Sequence, residues 1–160
     1  MKKLSALIAL SLCSVTVAHA QGTSCATAIP MTAPSTVNVD TTGGTGWINN
    51  YGPLVSPSND IVYTFTSGGT APDGTITPTA SNYAFAVYLL SSCAAGAGPT
   101  PIGATATVGT GIALTGITVA STQYYVAVTG TAAGGPGANG TVTLDVTPTL
   151  PVTLESFEIN

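Results

Sequence analysis

The sequence predicts an all-β fold, a single jelly-roll-like β-sandwich of about 8–10 short antiparallel strands. Three observations predict it. Apolar and polar residues alternate at period two in several short segments, and nothing after residue 20 shows helical periodicity. Nineteen glycines and eleven prolines cut the chain between those segments, as turns between strands require. Charged residues make up only 5% of the chain, so its polar positions are filled largely by Thr, Ser and Asn, with Thr well suited to pleated strands.

Residues 1–20 come first and stand apart. Lys2 and Lys3 precede an apolar run from Leu4 to Val17, and Ala18-His19-Ala20 supplies small residues at a cleavage site. This is the layout of a secretory signal peptide. The apolar run is shorter than the ~20 residues that span a bilayer. Cleavage after Ala20 starts the chain at Gln21 and removes both lysines and the only histidine. The formal charge then moves from −4 to −6, six carboxylates against no base. Residues 21–147 are expected to form the sandwich, and 148–160 a C-terminal tail with a terminal strand.

Within 21–147 the elements follow in order. Residues 35–40 read as an edge or bulged strand, and 41–46 as a loop. Gly46 to Pro53, GWINNYGP, reads as a further loop. Ile61, Tyr63 and Phe65 share one face of a strand whose other face carries Asp60, Val62 and Thr64. Residues 75–79 form a second edge or bulged strand after the Pro72-Asp73-Gly74 turn. Residues 83–90 are apolar or small on both faces, as in a central strand covered on two sides. Residues 94–101 read as a loop, and 112–119 as a strand bulged at Gly116. Tyr124, Val126 and Val128 alternate with Tyr125, Ala127 and Thr129. The glycine-rich stretch 130–140 is a surface crossing. Val142, Leu144 and Val146 then alternate with Thr141, Thr143 and Asp145. In the tail, Val152 and Leu154 keep one phase while Phe157 and Ile159 keep the other. The expected core is Ile61, Tyr63, Phe65, Phe85, Val87, Leu89, Tyr124, Val126, Val128, Leu144 and Val146.

Cys25 and Cys93 remain once Cys13 is removed with the signal. An exported chain with two cysteines most simply forms one disulfide. Two buried thiols, or a thiol paired between chains, are the alternatives. Two cysteines without histidine cannot close a zinc site.

The missing bases exclude most catalysis. Nucleophilic serine or cysteine needs a base, and general acid–base chemistry draws on His, Lys or carboxylates. Only carboxylates remain. Asp40-Thr41-Thr42-Gly43 is one imperfect copy of a turn that an aspartic protease needs twice, and reads as an ordinary turn. Asp60 and Asp145 are the one carboxylate pair to weigh for glycoside hydrolysis. Asn59, Asp60 and Asp73 are oxygen ligands of the kind calcium takes, but no ligand-spaced loop holds them. No catalytic residue, metal ligand or cofactor site is therefore assigned. Nucleic acid is excluded as a partner because nothing is left to bind phosphate.

Several segments together resemble the bacterial pre-peptidase C-terminal domain and its relatives, small secreted sandwiches often appended to exported hydrolases. They are CATAIP from Cys25, NDIVYTFT from Asn59, YAFAVYLLSSC from Tyr83, TQYYVAVTG from Thr122 and GTVTLDVT from Gly140. The family's acidic loop is replaced here by AAGAGPTPIG, which carries no carboxylate. The ending LPVTLESFEIN is similar to a segment near the C-termini of many secreted bacterial proteins. The resemblance implies a non-catalytic extracellular domain, standing alone.

The expected function is that of an exported structural or adhesive protein of the cell surface or extracellular matrix, with no membrane span. Its partners would be further copies of itself or matrix components. The tail could add to a neighbour's sheet or pair within its own sandwich. The alternative is a carbohydrate-binding module. Trp47 and Tyr51 around Asn49 and Asn50 could hold a polysaccharide through aromatic faces and amide hydrogen bonds; packing of Trp47 on the core edge is the competing reading.

Overall fold

Alternation at period two places every second side chain on one side of a pleated backbone, so the alternating segments can bury one face each. The structure is a computed structural model. It describes residues 22–32, 34–44, 46, 48–51, 54–55, 59–67, 74–93, 96–98, 101–116, 118–131 and 138–147. A 3-10 turn, Cys25–Thr27, is capped by the Ser24 hydroxyl, which accepts from Thr27 N at 3.3 Å. The strands that follow are β1 (Ile29–Pro30), β2 (Ser35–Asp40), β3 (Ile48–Tyr51), β4 (Leu54–Val55), β5 (Ile61–Thr66) and β6 (Thr75–Ser81). Then come β7 (Phe85–Leu90), β8 (Gly96–Gly98), β9 (Gly103–Thr105), β10 (Ile112–Ala113), β11 (Gln123–Gly130) and β12 (Thr141–Val146).

One sheet runs in the order β1-β5-β11-β7-β9 and packs against a second, β10-β6-β12-β2; β4-β3-β8 forms a small third. The fold is an all-β sandwich. Its core lies between the two larger sheets. Tyr63, Phe85, Val87, Leu89, Tyr124, Val126 and Val128 come from one side, and Val39, Ile76, Ile112, Val142, Leu144 and Val146 from the other. Every expected core residue lies in this cluster or against it. Phe65 is half-buried and stacks on its cross-strand partner Tyr124, with ring centroids 5.6 Å apart.

The central strand β7 is buried on both faces, as its sequence predicts. Ala86, Tyr88 and Leu90 join Ala127 in a second cluster on the outer face, against which Cys93 and Tyr125 pack. The disulfide Cys25–Cys93 is formed, with Cα atoms 5.7 Å apart, and ties the 3-10 turn to the segment leaving β7. The same N-terminal segment is held to β5 by Val62 N to Gly22 O (2.6 Å) and Met31 N to Thr64 O (2.8 Å).

Four expectations are corrected. The strands exceed the expected number because five of them are only two or three residues long, too short to show a period. Two pairings are parallel, β1 with β5 and β3 with β8, where antiparallel strands were expected. Ile48–Tyr51 and Gly96–Gly98 are strands rather than loops. Backbone pairing there overrides the asparagines of β3 and the glycines of β8, residue types depleted in strands. The strand expected over 112–119 stops at Ala113. Leu114 O accepts from both the amide and the hydroxyl of Thr118 (3.2 and 2.9 Å), and Gly116 takes φ +79°, so the chain turns instead of bulging. The bulge in this sheet lies in β6. Thr143 pairs with Ala80 and Leu144 with Pro78, which leaves Thr79 as the extra residue beside a proline that cannot donate.

Candidate assembly edge

A sheet edge exposes a row of unpaired N–H and C=O groups, and proteins guard such rows with short strands, proline, lysine or bulges. Three of the four edges of the two larger sheets are guarded. β1 has two residues, one of them Pro30; β9 has three; β10 has two. β2 is different. It has six residues, Ser-Thr-Val-Asn-Val-Asp, with no lysine, no proline and no register shift against β12.

The ladder with β12 fixes which groups are free. Thr41 N donates to Gly140 O at 2.9 Å, which continues the β2–β12 register past Asp40 and Thr141. Backbone groups alternate in direction along an antiparallel strand. Ser35, Val37 and Val39 therefore bond toward β12, and Thr36, Asn38 and Asp40 aim their N–H and C=O groups away from it. Side chains agree with this phase. Thr36 Oγ1 donates to Asp145 Oδ1 at 2.8 Å and Thr143 Oγ1 to Asn38 Oδ1 at 2.9 Å, across the closer, non-hydrogen-bonded rungs. Among the described residues nothing pairs with the outer side of β2. Val39 is fully buried, whereas Val37 is only half-buried, so the core has an uncovered lip at this edge.

The C-terminal end of β2 is pinned. Thr41 Oγ1 accepts from Gly140 N (3.1 Å) and lies 3.1 Å from the Tyr83 hydroxyl. Asp40 Oδ1 accepts from the amide and hydroxyl of Thr42 (2.9 and 2.7 Å), which makes Asp40-Thr41-Thr42-Gly43 the turn its composition suggests. Those two bonds hold the Asp40 carboxyl below the usual carboxylate range. Burial pushes the Tyr83 phenol up; the Thr41 bond opposes this, and the charges of Asp40 and Asp60 add to it. Gly44 is required here, because a Cβ would stand 2.6 Å from Asp60 O.

The other sequence candidates are not brought together. Asp60 is fully buried beside β5, while Asp145 is partly exposed on β12 in the opposite sheet, so the pair weighed for glycoside hydrolysis is split. Asn59 Nδ2 reaches Thr42 O at 3.5 Å, and Asp73 lies outside the described residues. Among the described residues no three of His, Cys, Asp and Glu gather as metal ligands, and no helix is long and apolar enough to cross a membrane. Trp47 lies outside the described residues, as does the terminal strand expected in 148–160. Asn49, Asn50 and Tyr51 belong to β3, which pairs with β4 on one side and β8 on the other, so they sit on a strand and not in a loop. The outward set Thr36, Asn38 and Asp40 was not singled out from sequence. Its signal is a strand whose outward residues are all small and polar, with no lysine.

Comparison with protein-family models, curated proteins and solved structures finds no match for this chain.

Proposed function

We propose that this chain is a non-catalytic, exported structural or adhesive protein of the bacterial cell surface or extracellular matrix that self-assembles through its C-terminal strand. The unguarded edge of β2 is the observation that carries the reading: among the described residues nothing pairs with the outward N–H and C=O groups of Thr36, Asn38 and Asp40, and such a row beside a half-buried valine is a template for strand addition. Three features of the chain support it. A leader of signal-peptide form directs export, a disulfide is formed, and the chain beyond residue 20 holds no histidine, lysine or arginine for catalysis. The segments resembling pre-peptidase C-terminal domains point the same way.

Light scattering and negative-stain microscopy on the processed, oxidised protein over a range of concentrations test this reading. Regular oligomers or fibres that grow with concentration are expected. A monomer that persists at high concentration overturns assembly.

A further inference from the structure

Building on that reading, we infer that the outer edge of β2 is the acceptor and that its occupant is residues 152–160 of a second copy, added antiparallel. The direction of the chain decides against the molecule's own tail. Val146 stands opposite Ser35, so the polypeptide leaves β12 at the N-terminal end of β2. Its own tail would have to step across β2 and run parallel to it along the far side. A tail arriving from another molecule runs antiparallel, the more stable pairing per residue. The reach is sufficient. Fully extended, residues 147–151 would span roughly 16 Å, and the nine residues that follow would span about 30 Å against about 20 Å for β2.

The side chains of that tail suit the lip. Phe157 and Ile159 share one face of an extended segment, which sets them beside Val37 and Val39, while Ser156, Glu158 and Asn160 lie on the outward face with Thr36, Asn38 and Asp40. Three carboxylates then share that outward face: Glu158 of the incoming strand, Asp40 of β2 and Asp145 of β12. Their repulsion is screened by salt, so the joint tightens as ionic strength rises. Each molecule donates one strand and accepts one. The contact is head-to-tail and builds open chains instead of closing on itself.

The test separates donor from acceptor in the full chain. Asn38→Pro removes an N–H that faces outward and leaves the bonds to β12 in place. Phe157→Ser with Ile159→Ser leaves the edge intact and spoils the donor. Each variant alone is expected not to assemble, even at about ten times the wild-type threshold. Mixed in equal amounts they are expected to form discrete heterodimers, one sound donor in one sound acceptor, and nothing longer. Circular dichroism and thermal melting establish that each variant is folded. If Asn38→Pro unfolds the protein, Val37→Lys replaces it and places a charge on the same lip. Assembly that stops with the tail variant but persists with a folded edge variant overturns β2 as the acceptor and leaves self-assembly standing. A wild-type protein that never assembles removes both.

Discussion

The disulfide offers the sharpest energetic test of the fold. Cys25 and Cys93 are 68 residues apart in sequence, and joining them restricts the unfolded chain by about 4 kcal/mol in the loop-entropy treatment. The bond anchors a segment with few other holds. The 3-10 turn has no buried residue, β1 pairs with β5 over only two residues, and Gly22 and Met31 each add one backbone bond. That segment nevertheless delivers Met31 to the core, with Ile29 packed against it. Cys93 also packs on the outer cluster beside Tyr88 and Leu90, so its loss removes contacts as well as the link. Replacing both cysteines with serine is therefore expected to lower Tm by roughly 15 °C, taking ~2.1 cal/mol/K per residue over the sandwich. Calorimetry of the wild type and the double variant, with reductant as a second route to the open form, measures it. A shift below about 3 °C, or ~1 kcal/mol, would refute the reasoning, because the N-terminal segment would then be held without the link.

The remaining predictions concern the core, pH, processing and the alternative ligand. Leu144, fully buried at the centre of β12, is expected to lose about 2–5 kcal/mol on change to alanine, read from chemical denaturation; a loss under ~1 kcal/mol contradicts its place between the sheets. Burial raises the phenols of Tyr63, Tyr83 and Tyr88, so the unfolded chain ionises before the folded one as pH climbs past the ordinary tyrosine value of ~10. Stability should be fully retained below that pH and fall above it; a melting temperature unchanged up to pH 12 would count against the buried phenols. Trypsin should leave a chain cleaved after Ala20 uncut even when reduced and denatured, since its only targets are Lys2 and Lys3, and any cleavage in mass spectra means those residues are retained. Polysaccharide retention is expected from neither wild type nor Trp47→Ala; retention lost in a folded Trp47→Ala protein would favour the carbohydrate-binding alternative.

How legible the fold was in sequence depends on what holds each strand. β5, β11 and β12 are plain, because every second residue of each enters the core between the sheets; in β12 the alternation is also the burial pattern, while Val62 of β5 and Ala127 of β11 are buried on the other face as well. β7 is plain for the opposite reason, having no polar face to show. β3, β4 and β8 were invisible, because Gly96-Ala97-Gly98 has almost no side chains to pattern and pairs through its backbone alone. The sequence also pointed to an edge at 35–40 but not to which side of it is open. That depends on β12, which reaches Thr36 through Asp145 across 109 residues, a relation no local window contains. The acceptor residues Thr36, Asn38 and Asp40 became readable only once the ladder phase was known.

The place of β12 has a consequence for how the molecule comes into being. It is the last described strand to be synthesised, yet it lies inside its sheet, between β6 and β2. Neither of those strands can find its principal partner until residues 141–146 exist. Pairings this distant are slow to form, on the order of milliseconds to seconds, since a long loop must close before any contact rewards it. A growing chain therefore cannot complete its second sheet until residues 141–146 have been made.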